Sequence, residues 1–221
     1  MTEKEAIALR HSVRSYLPQP IEKEKLELLR QEVARCNEAG HLHIQLVTDD
    51  PVAFSGRMAH YGKFSQVNNY LALVGRKESG FEERLGYYGQ RLALLIQTLG
   101  MNSCWVALTY SKTERIELSK EERLPAVMAF GYGATQGVAH KSKAIEKVAS
   151  GAEPWPDWFR NGVEAALLAP TAINQQRFHF TLRGEKVQAR AGLGLNTHVD
   201  LGIAKYHFEV GSGRDHTVWV D

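Results

Sequence analysis

Cysteine is scarce in this chain: two among 221 residues, Cys36 and Cys104, both in apolar segments. Two such thiols cannot make the disulfide framework of a small secreted domain, and a reduced compartment is the expectation. No run of about 18 apolar residues occurs, so no membrane-spanning helix is expected. Met1 to Glu5 lacks the apolar core of a signal peptide, which makes the expected location cytoplasmic. Net charge is only +2 with histidine neutral, so neither nucleic acid nor a membrane surface is an expected partner. Metal-ligand spacing is missing too. His41 and His43 share one face of an expected strand, but no cysteine or carboxylate joins them, and no metal is expected. Gly192-Leu193-Gly194-Leu195-Asn196-Thr197 lacks the third glycine and the preceding strand of a dinucleotide-binding turn. Gly131-Tyr132-Gly133 reads as a turn rather than a phosphate loop.

What is present is ordinary globular composition, 43% hydrophobic and 24% charged, sufficient for one domain or two closely merged halves. Thr2 and Glu5 have capping-box spacing ahead of a short helix through Ile7 and Leu9. The pattern of Leu26, Leu29 and Val33 predicts a helix from about Glu24 to Cys36, ended by Gly40. Leu42, Ile44 and Leu46 alternate as a strand does, and Tyr70 to Val74 reads as a buried strand. An amphipathic helix fits Glu82 to Leu99, closed by Gly100. Two apolar runs follow, Cys104 to Leu108 and Ala126 to Phe130. Ser150 to Asp157 is the best linker in the chain, and Trp155 and Trp158 are expected to pack it onto the core.

Beyond the linker the pattern begins again. A helix from Phe159 to Leu168 leads to Arg177-Phe178-His179-Phe180-Thr181-Leu182, which matches His41-Leu42-His43-Ile44-Gln45-Leu46 position by position. Leu201-Gly202 then opens a helical stretch as Leu85-Gly86 does, with Phe208 where Leu92 stands. The period is far too long for a solenoid and suggests two fused half-copies of a dimeric ancestor, with chance similarity between amphipathic segments as the alternative. The boundaries are 1–149 for the first half, 150–157 for the linker and 158–221 for a shortened second half.

Three constellations carry candidate chemistry. Arg10, His11, Ser12 and Arg14 put two guanidinium forks and a hydroxyl at the end of a short helix, good groups for a phosphate dianion, although such a run is also a common solvated turn. Lys141 and Lys143 form a second basic pair. Ala169-Pro170-Thr171-Ala172-Ile173-Asn174-Gln175-Gln176 interrupts an apolar helix with small and amide side chains. Amides and hydroxyls suit the edge of a heterocycle and a sugar alcohol; a loop that satisfies its own backbone is the alternative.

Taken together, these segments resemble the FMN-dependent nitroreductase family, in particular its divergent single-chain branch. Ala6 to Arg14 resembles the opening signature that holds the FMN phosphate and ribityl chain, and Lys141-Ser142-Lys143 is similar to a basic tripeptide that reaches the same phosphate. Ala169 to Gln176 resembles the loop that the neighbouring subunit lends to the flavin in dimeric members, and Gly100 with Cys104-Trp105 looks like the helix-to-strand junction of the core. Arg177-Phe178 departs from the Pro-Trp of many members, and Ala107 and Leu108 stand where some relatives place an acidic residue and a glycine. The resemblance implies an α+β nitroreductase-like fold, a central, mostly antiparallel sheet flanked by helices and built from two degenerate half-repeats. It implies FMN as cofactor, held by Arg10, His11, Ser12, Arg14, Lys141, Lys143, Pro170, Thr171, Ala172, Asn174 and Gln176. NADH or NADPH would be the co-substrate and a small organic molecule the electron acceptor; no catalytic acid or base is assigned. The first half carries the basic opening and only the second carries the amide loop, so one FMN site per monomer is expected. A flavin carrier or sensor without turnover, or a cofactor-free scaffold, would share the same fold.

Overall fold

The computed structural model describes residues 1–220, and among these it has six α-helices and eight β-strands. The chain divides into two compact units that are each discontinuous in sequence: Met1–Ala8, Glu82–Arg91 and His140–Asp221 form the first, Leu9–Phe81 and Leu92–Ala139 the second.

In the second unit four strands, β1 (Gln45–Val47), β2 (Asn69–Arg76), β3 (Asn102–Val106) and β4 (Glu122–Gly131), form a fully antiparallel sheet in the order β1-β2-β4-β3. Tyr70 to Val74 are all fully buried, which explains why β2 reads as a continuous apolar run. Helix α2 (Lys23–Gly40) buries Leu29, Val33 and Cys36, and His41 ends it in the left-handed region at φ 50°. The strand expected from Leu42 to Leu46 is shorter than its alternation suggests. Leu42 makes only an isolated bridge to Gly75, and the ladder proper begins at Gln45. The register is nonetheless continuous, because the His43 N–H donates to the Val74 carbonyl at 2.9 Å. Asn37 covers the outer edge instead, its amide donating to the Ile44 carbonyl at 2.9 Å and its Oδ1 accepting from the Ile44 N–H at 2.7 Å, in the place of a further strand. Asp50 is held beneath β2 by the Tyr70 hydroxyl at 2.6 Å and the Thr113 hydroxyl at 2.8 Å.

The first unit carries the other sheet, in the order β5 (Ala149–Ser150), β6 (Phe178–Arg183), β7 (Lys186–Ala191) and β8 (Trp219–Val220). Strands β6 and β7 form an antiparallel hairpin around Gly184, whereas β5 and β8 pair parallel to their neighbours. Ser150, at the start of the expected linker, is thus drawn into a strand. Helix α5 (Asp157–Ala166) packs on α6 (Thr197–Ser212) around Phe159, Phe180 and Phe208. Trp155 and Trp158 both set their rings edge-on to Phe159, as expected for residues that pin the linker down.

Helix α4 (Phe81–Thr98) contributes Glu82–Arg91 to this unit, where it crosses α6 at two glycines. A Cβ on Gly86 would lie 2.0 Å from the Val199 carbonyl oxygen, and one on Gly202 would lie 1.9 Å from that of Glu83. Secondary contacts follow the same rule: Gly86 faces the Ile203 nitrogen and Gly202 the Tyr87 nitrogen. Glu83, Gly86 and Tyr87 are each offset by 116 positions from Val199, Gly202 and Ile203, so the contacts are reciprocal.

Candidate functional site

The capping box is formed, with the Thr2 N–H donating to Glu5 at 2.8 Å and the Glu5 N–H to the Thr2 hydroxyl at 3.2 Å. Helix α1 (Glu3–Leu9) ends directly before Arg10, and the chain continues extended beside β3. Ser12 forms a parallel bridge with Ser103, and the Val13 N–H donates to the Ser103 carbonyl at 3.2 Å. This geometry carries the Arg10 side chain inward. Arg10 is only 3% exposed, and its Nε and Nη1 atoms have no hydrogen-bond partner. Burial draws its guanidinium well below the usual arginine range, down to about 10, with the nearby Cys104 opposing that fall. A guanidinium is charged at any physiological pH, so its burial without an anion is costly unless an anion is bound.

The neighbouring groups add a cationic and a hydroxyl side chain within the second unit. Burial raises the Cys104 thiol, while Arg14, Arg10 and the Ser12 hydroxyl oppose the rise, which places all three close to that sulfur. Arg14 itself is exposed, its guanidinium 5.9 Å from the centre of the Phe64 ring. Gly137 covers the His11–Ser12 backbone at φ 72°, and a Cβ there would lie 2.8 Å from the His11 Cβ. Its conformation and that approach both require glycine. Ser103 Oγ is buried without a partner as well.

The remaining candidates gather in the first unit. After α5, the segment Ala169–Gln176 forms a tight loop in which Ile173, Asn174 and Gln176 take φ values of 47°, 55° and 45°. A β-branched residue in the left-handed region is an outlier, and each such residue costs about 1–3 kcal/mol unless its surroundings impose it. The Ile173 side chain is 88% exposed, so packing gives no return for that strain. Hydrogen bonds impose it instead. The buried Gln176 amide donates to the Lys141 carbonyl at 2.9 Å and to Asn174 Oδ1 at 2.8 Å, and its oxygen accepts the Lys143 N–H at 2.8 Å. Asn174 also donates to the Lys141 carbonyl at 2.9 Å. The Lys143 ammonium donates to the carbonyls of Gln175 and Gln176 at 2.8 and 2.9 Å, and the Gln176 N–H donates to the Thr171 hydroxyl at 3.0 Å.

The structure therefore brings Lys141 and Lys143 together with Thr171, Asn174 and Gln176, and sets Pro170 and Ala172 half-buried between them. Arg10, His11, Ser12 and Arg14 form a separate group in the second unit. Sequence reasoning passed over Asp200 and Gln175. Asp200 is 3% exposed in the first turns of α6, and its carboxylate accepts from the Ala172 N–H at 3.0 Å and the Gln175 amide at 2.7 Å. Burial pushes its pKa from the usual 3.8 up to about 6, against the pull of those two donors. A carboxylate on an otherwise apolar stretch, Val199-Asp200-Leu201, is the signal that marks it.

Comparison with known proteins identifies the family and the fold. The family model described as "Putative TM nitroreductase" matches residues 3–212. A "putative nitroreductase" from Thermotoga maritima has the same fold at 21% identity and a TM-score of 0.63, with 96% of this chain and 83% of that chain covered. A "Putative NADH dehydrogenase/NAD(P)H nitroreductase" from Parabacteroides distasonis matches at 19% identity and TM-score 0.53, over 70% of this chain and all (100%) of that one. A "putative nitroreductase in complex with fmn" from Desulfovibrio desulfuricans matches at 14% identity and TM-score 0.51, over 71% of this chain and 99% of that one. No curated protein matches. With a family model spanning nearly the whole sequence and the nitroreductase-like fold beneath it, the chain belongs to this nitroreductase family.

Proposed function

We propose that this protein is an FMN-dependent oxidoreductase that takes reducing equivalents from NADH or NADPH and delivers them to a small organic acceptor. The observation that carries the proposal is the Arg10 guanidinium, buried and without a hydrogen-bond partner at Nε and Nη1. A phosphate dianion is the ligand whose charge and lone pairs fit that fork. Arg14 and the Ser12 hydroxyl would add a second cation and a donor to the same phosphate. The Lys143 ammonium uses two of its three hydrogens on the Gln175 and Gln176 carbonyls, which leaves one for a ligand oxygen. Thr171, Asn174 and Gln176 would act on the flavin through the loop they shape, with the Pro170 carbonyl and the Thr171 N–H the backbone groups offered to ribityl and ring edges. When bound, FMN supplies the redox chemistry; the protein binds and orients it and sets its surroundings.

The reciprocal contacts of Gly86 and Gly202 support the fused-repeat reading, because a two-fold relation between helices requires that residue i meet j wherever j meets i. On that reading one chain is a pseudo-dimer with one FMN, since Arg10 and the amide loop each occur once. The test is anaerobic mixing of the FMN-loaded chain with NADH and, separately, NADPH. Bleaching of the flavin band near roughly 450 nm, followed by recovery on addition of a quinone, is the result expected of the cofactor class. Absence of bleaching with both donors would replace the enzyme with a flavin carrier.

A further inference from the structure

We infer that Asp200 is a positioning residue: its carboxylate, working through Ala172 and Gln175, holds the 171–176 loop in the conformation that meets the flavin. This rests on the FMN reading above for its purpose, but the holding itself stands on geometry within the first unit.

The loop has a conformation it would not keep alone. Ile173, Asn174 and Gln176 are all left-handed, and the exposed Ile173 side chain contributes no packing to offset the strain. Lys143 and Gln176 secure the side of the loop that faces residues 141–143. Asp200 secures the opposite side. One of its oxygens accepts the Ala172 N–H at 3.0 Å and the other accepts the Gln175 amide at 2.7 Å. The same Gln175 amide nitrogen donates its second hydrogen to the Leu195 carbonyl at 2.7 Å. Both hydrogens are therefore committed, and Gln175 cannot rotate its amide without losing both acceptors. One carboxylate thereby fixes the flavin loop, the 192–196 segment and the start of α6 relative to each other.

Nothing about helix formation requires a carboxylate here. Asn196 is the residue before α6 and makes no side-chain cap, and the Asp200 N–H donates to the Asn196 carbonyl at 2.9 Å, already inside the helix. No cation partners the carboxylate among the described residues. Of the charged and titratable groups on the elements around it, Lys143 donates to the Gln175 and Gln176 carbonyls, Arg177 donates to the Leu193 carbonyl, and His198 is exposed. A buried carboxylate held by two neutral donors is an expensive way to stabilise a fold, and loop geometry is what it secures. Protonation would turn one of the two acceptor oxygens into a donor and release one of the two contacts.

The experiment compares wild type, Asp200→Ala and Asp200→Asn by amide hydrogen exchange without flavin and by FMN titration. The alanine variant should raise exchange in the peptides that span 171–176 and 192–197 by roughly 10- to 100-fold, with β6 and α5 unchanged. FMN affinity should fall by a similar factor, because the competent loop conformation becomes a minor population, and the absorption band of the remaining bound flavin should shift. Asparagine keeps an acceptor for the Ala172 N–H but offers none to Gln175, so it should recover part of both losses. If the alanine chain does not fold, the asparagine chain decides by the same two readouts. Unchanged loop exchange in a folded variant overturns the inference, as does greater exchange with no loss of FMN affinity. Absence of FMN binding in wild type overturns the flavin reading and with it the purpose assigned to the loop, while the exchange arm still decides whether Asp200 holds it.

Discussion

Replacing Arg10 by methionine separates the value of this residue to the fold from its value to the ligand. Burial lowers the guanidinium well below its usual range, to about 10. A cation whose folded pKa is depressed is penalised at every pH below that value, and the penalty fades only as pH rises from about 10 through the range in which the unfolded guanidinium titrates. The difference corresponds to about 3 kcal/mol at neutral pH. Methionine has a similar reach and no charge, and the small gap it leaves costs about 1 kcal/mol. Without flavin, Arg10→Met should therefore be more stable than wild type by about 1–3 kcal/mol, or about 2–4 °C in midpoint per kcal/mol for a chain of this size. With flavin the order should narrow or reverse. The lost phosphate contact is worth about 1.5–3 kcal/mol, a fall of roughly 10- to 150-fold in FMN affinity. Saturating FMN raises the wild-type midpoint by mass action, about 2.7 kcal/mol at a hundred times Kd, and lifts the variant far less. Thermal melts with and without FMN measure both halves. A variant that is less stable without flavin, yet gains as much from FMN as wild type, would refute the assignment of Arg10 to the phosphate.

Gly86→Ala and Gly202→Ala should each destabilise by about 1–3 kcal/mol or more in chemical denaturation, since a backbone carbonyl lies about 2 Å from each new Cβ and outweighs the helix-propensity gain of about 1 kcal/mol. Similar losses are expected from the reciprocal contacts; a stabilised variant would show that the helices are not in contact there. Asn174→Leu should weaken FMN binding and lower stability by about 1–2 kcal/mol, because it removes the two amide bonds that join the loop to Gln176 and Lys141 and sets leucine at φ 55°; an unchanged Kd would make the loop structural only. Tyr70→Phe should cost about 1–2 kcal/mol at pH 7. Burial pushes the Asp50 carboxyl up, but donors from Tyr70, Thr113 and Val52 outweigh it and hold it below its usual value, so this loss should shrink as pH falls through the acid range. Asp200 has the opposite sign. Its pKa is raised to about 6, so wild type should gain stability relative to Asp200→Asn as pH drops from 7 towards 4, and a flat difference would contradict its burial as an ionised group.

Periodicity made much of the second unit legible. Leu29 and Val33 place α2, and the unbroken run from Tyr70 to Val74 marks a strand buried on both faces. The alternation from Leu42 to Leu46 marks one register against β2, the Leu42–Gly75 bridge being continuous with the ladder from Gln45, while the Asn37 amide that covers the outer edge at Ile44 has no periodic signal. The second sheet was hidden for a different reason. Two of its strands, Ala149–Ser150 and Trp219–Val220, are two residues long, too short for any period to register. Of the site, Arg10 and the Thr171–Gln176 loop stand out by residue type. Asp200 is marked only as a carboxylate on an apolar stretch; its role is not legible, because Thr197 and Asp200 have the spacing of an ordinary helix start and the loop it grips lies more than twenty residues away in sequence.

If a buried Arg10 anchors the phosphate of one FMN in each chain, the phosphate itself must carry a large share of the affinity. Titration of the flavin-free protein with FMN and with riboflavin, followed by fluorescence quenching, tests it most directly. One FMN per chain is expected at saturation, with an affinity for riboflavin at least roughly tenfold weaker, the share a charge-assisted phosphate contact supplies. Equal affinity for the two flavins, or no saturable binding of FMN, would contradict it.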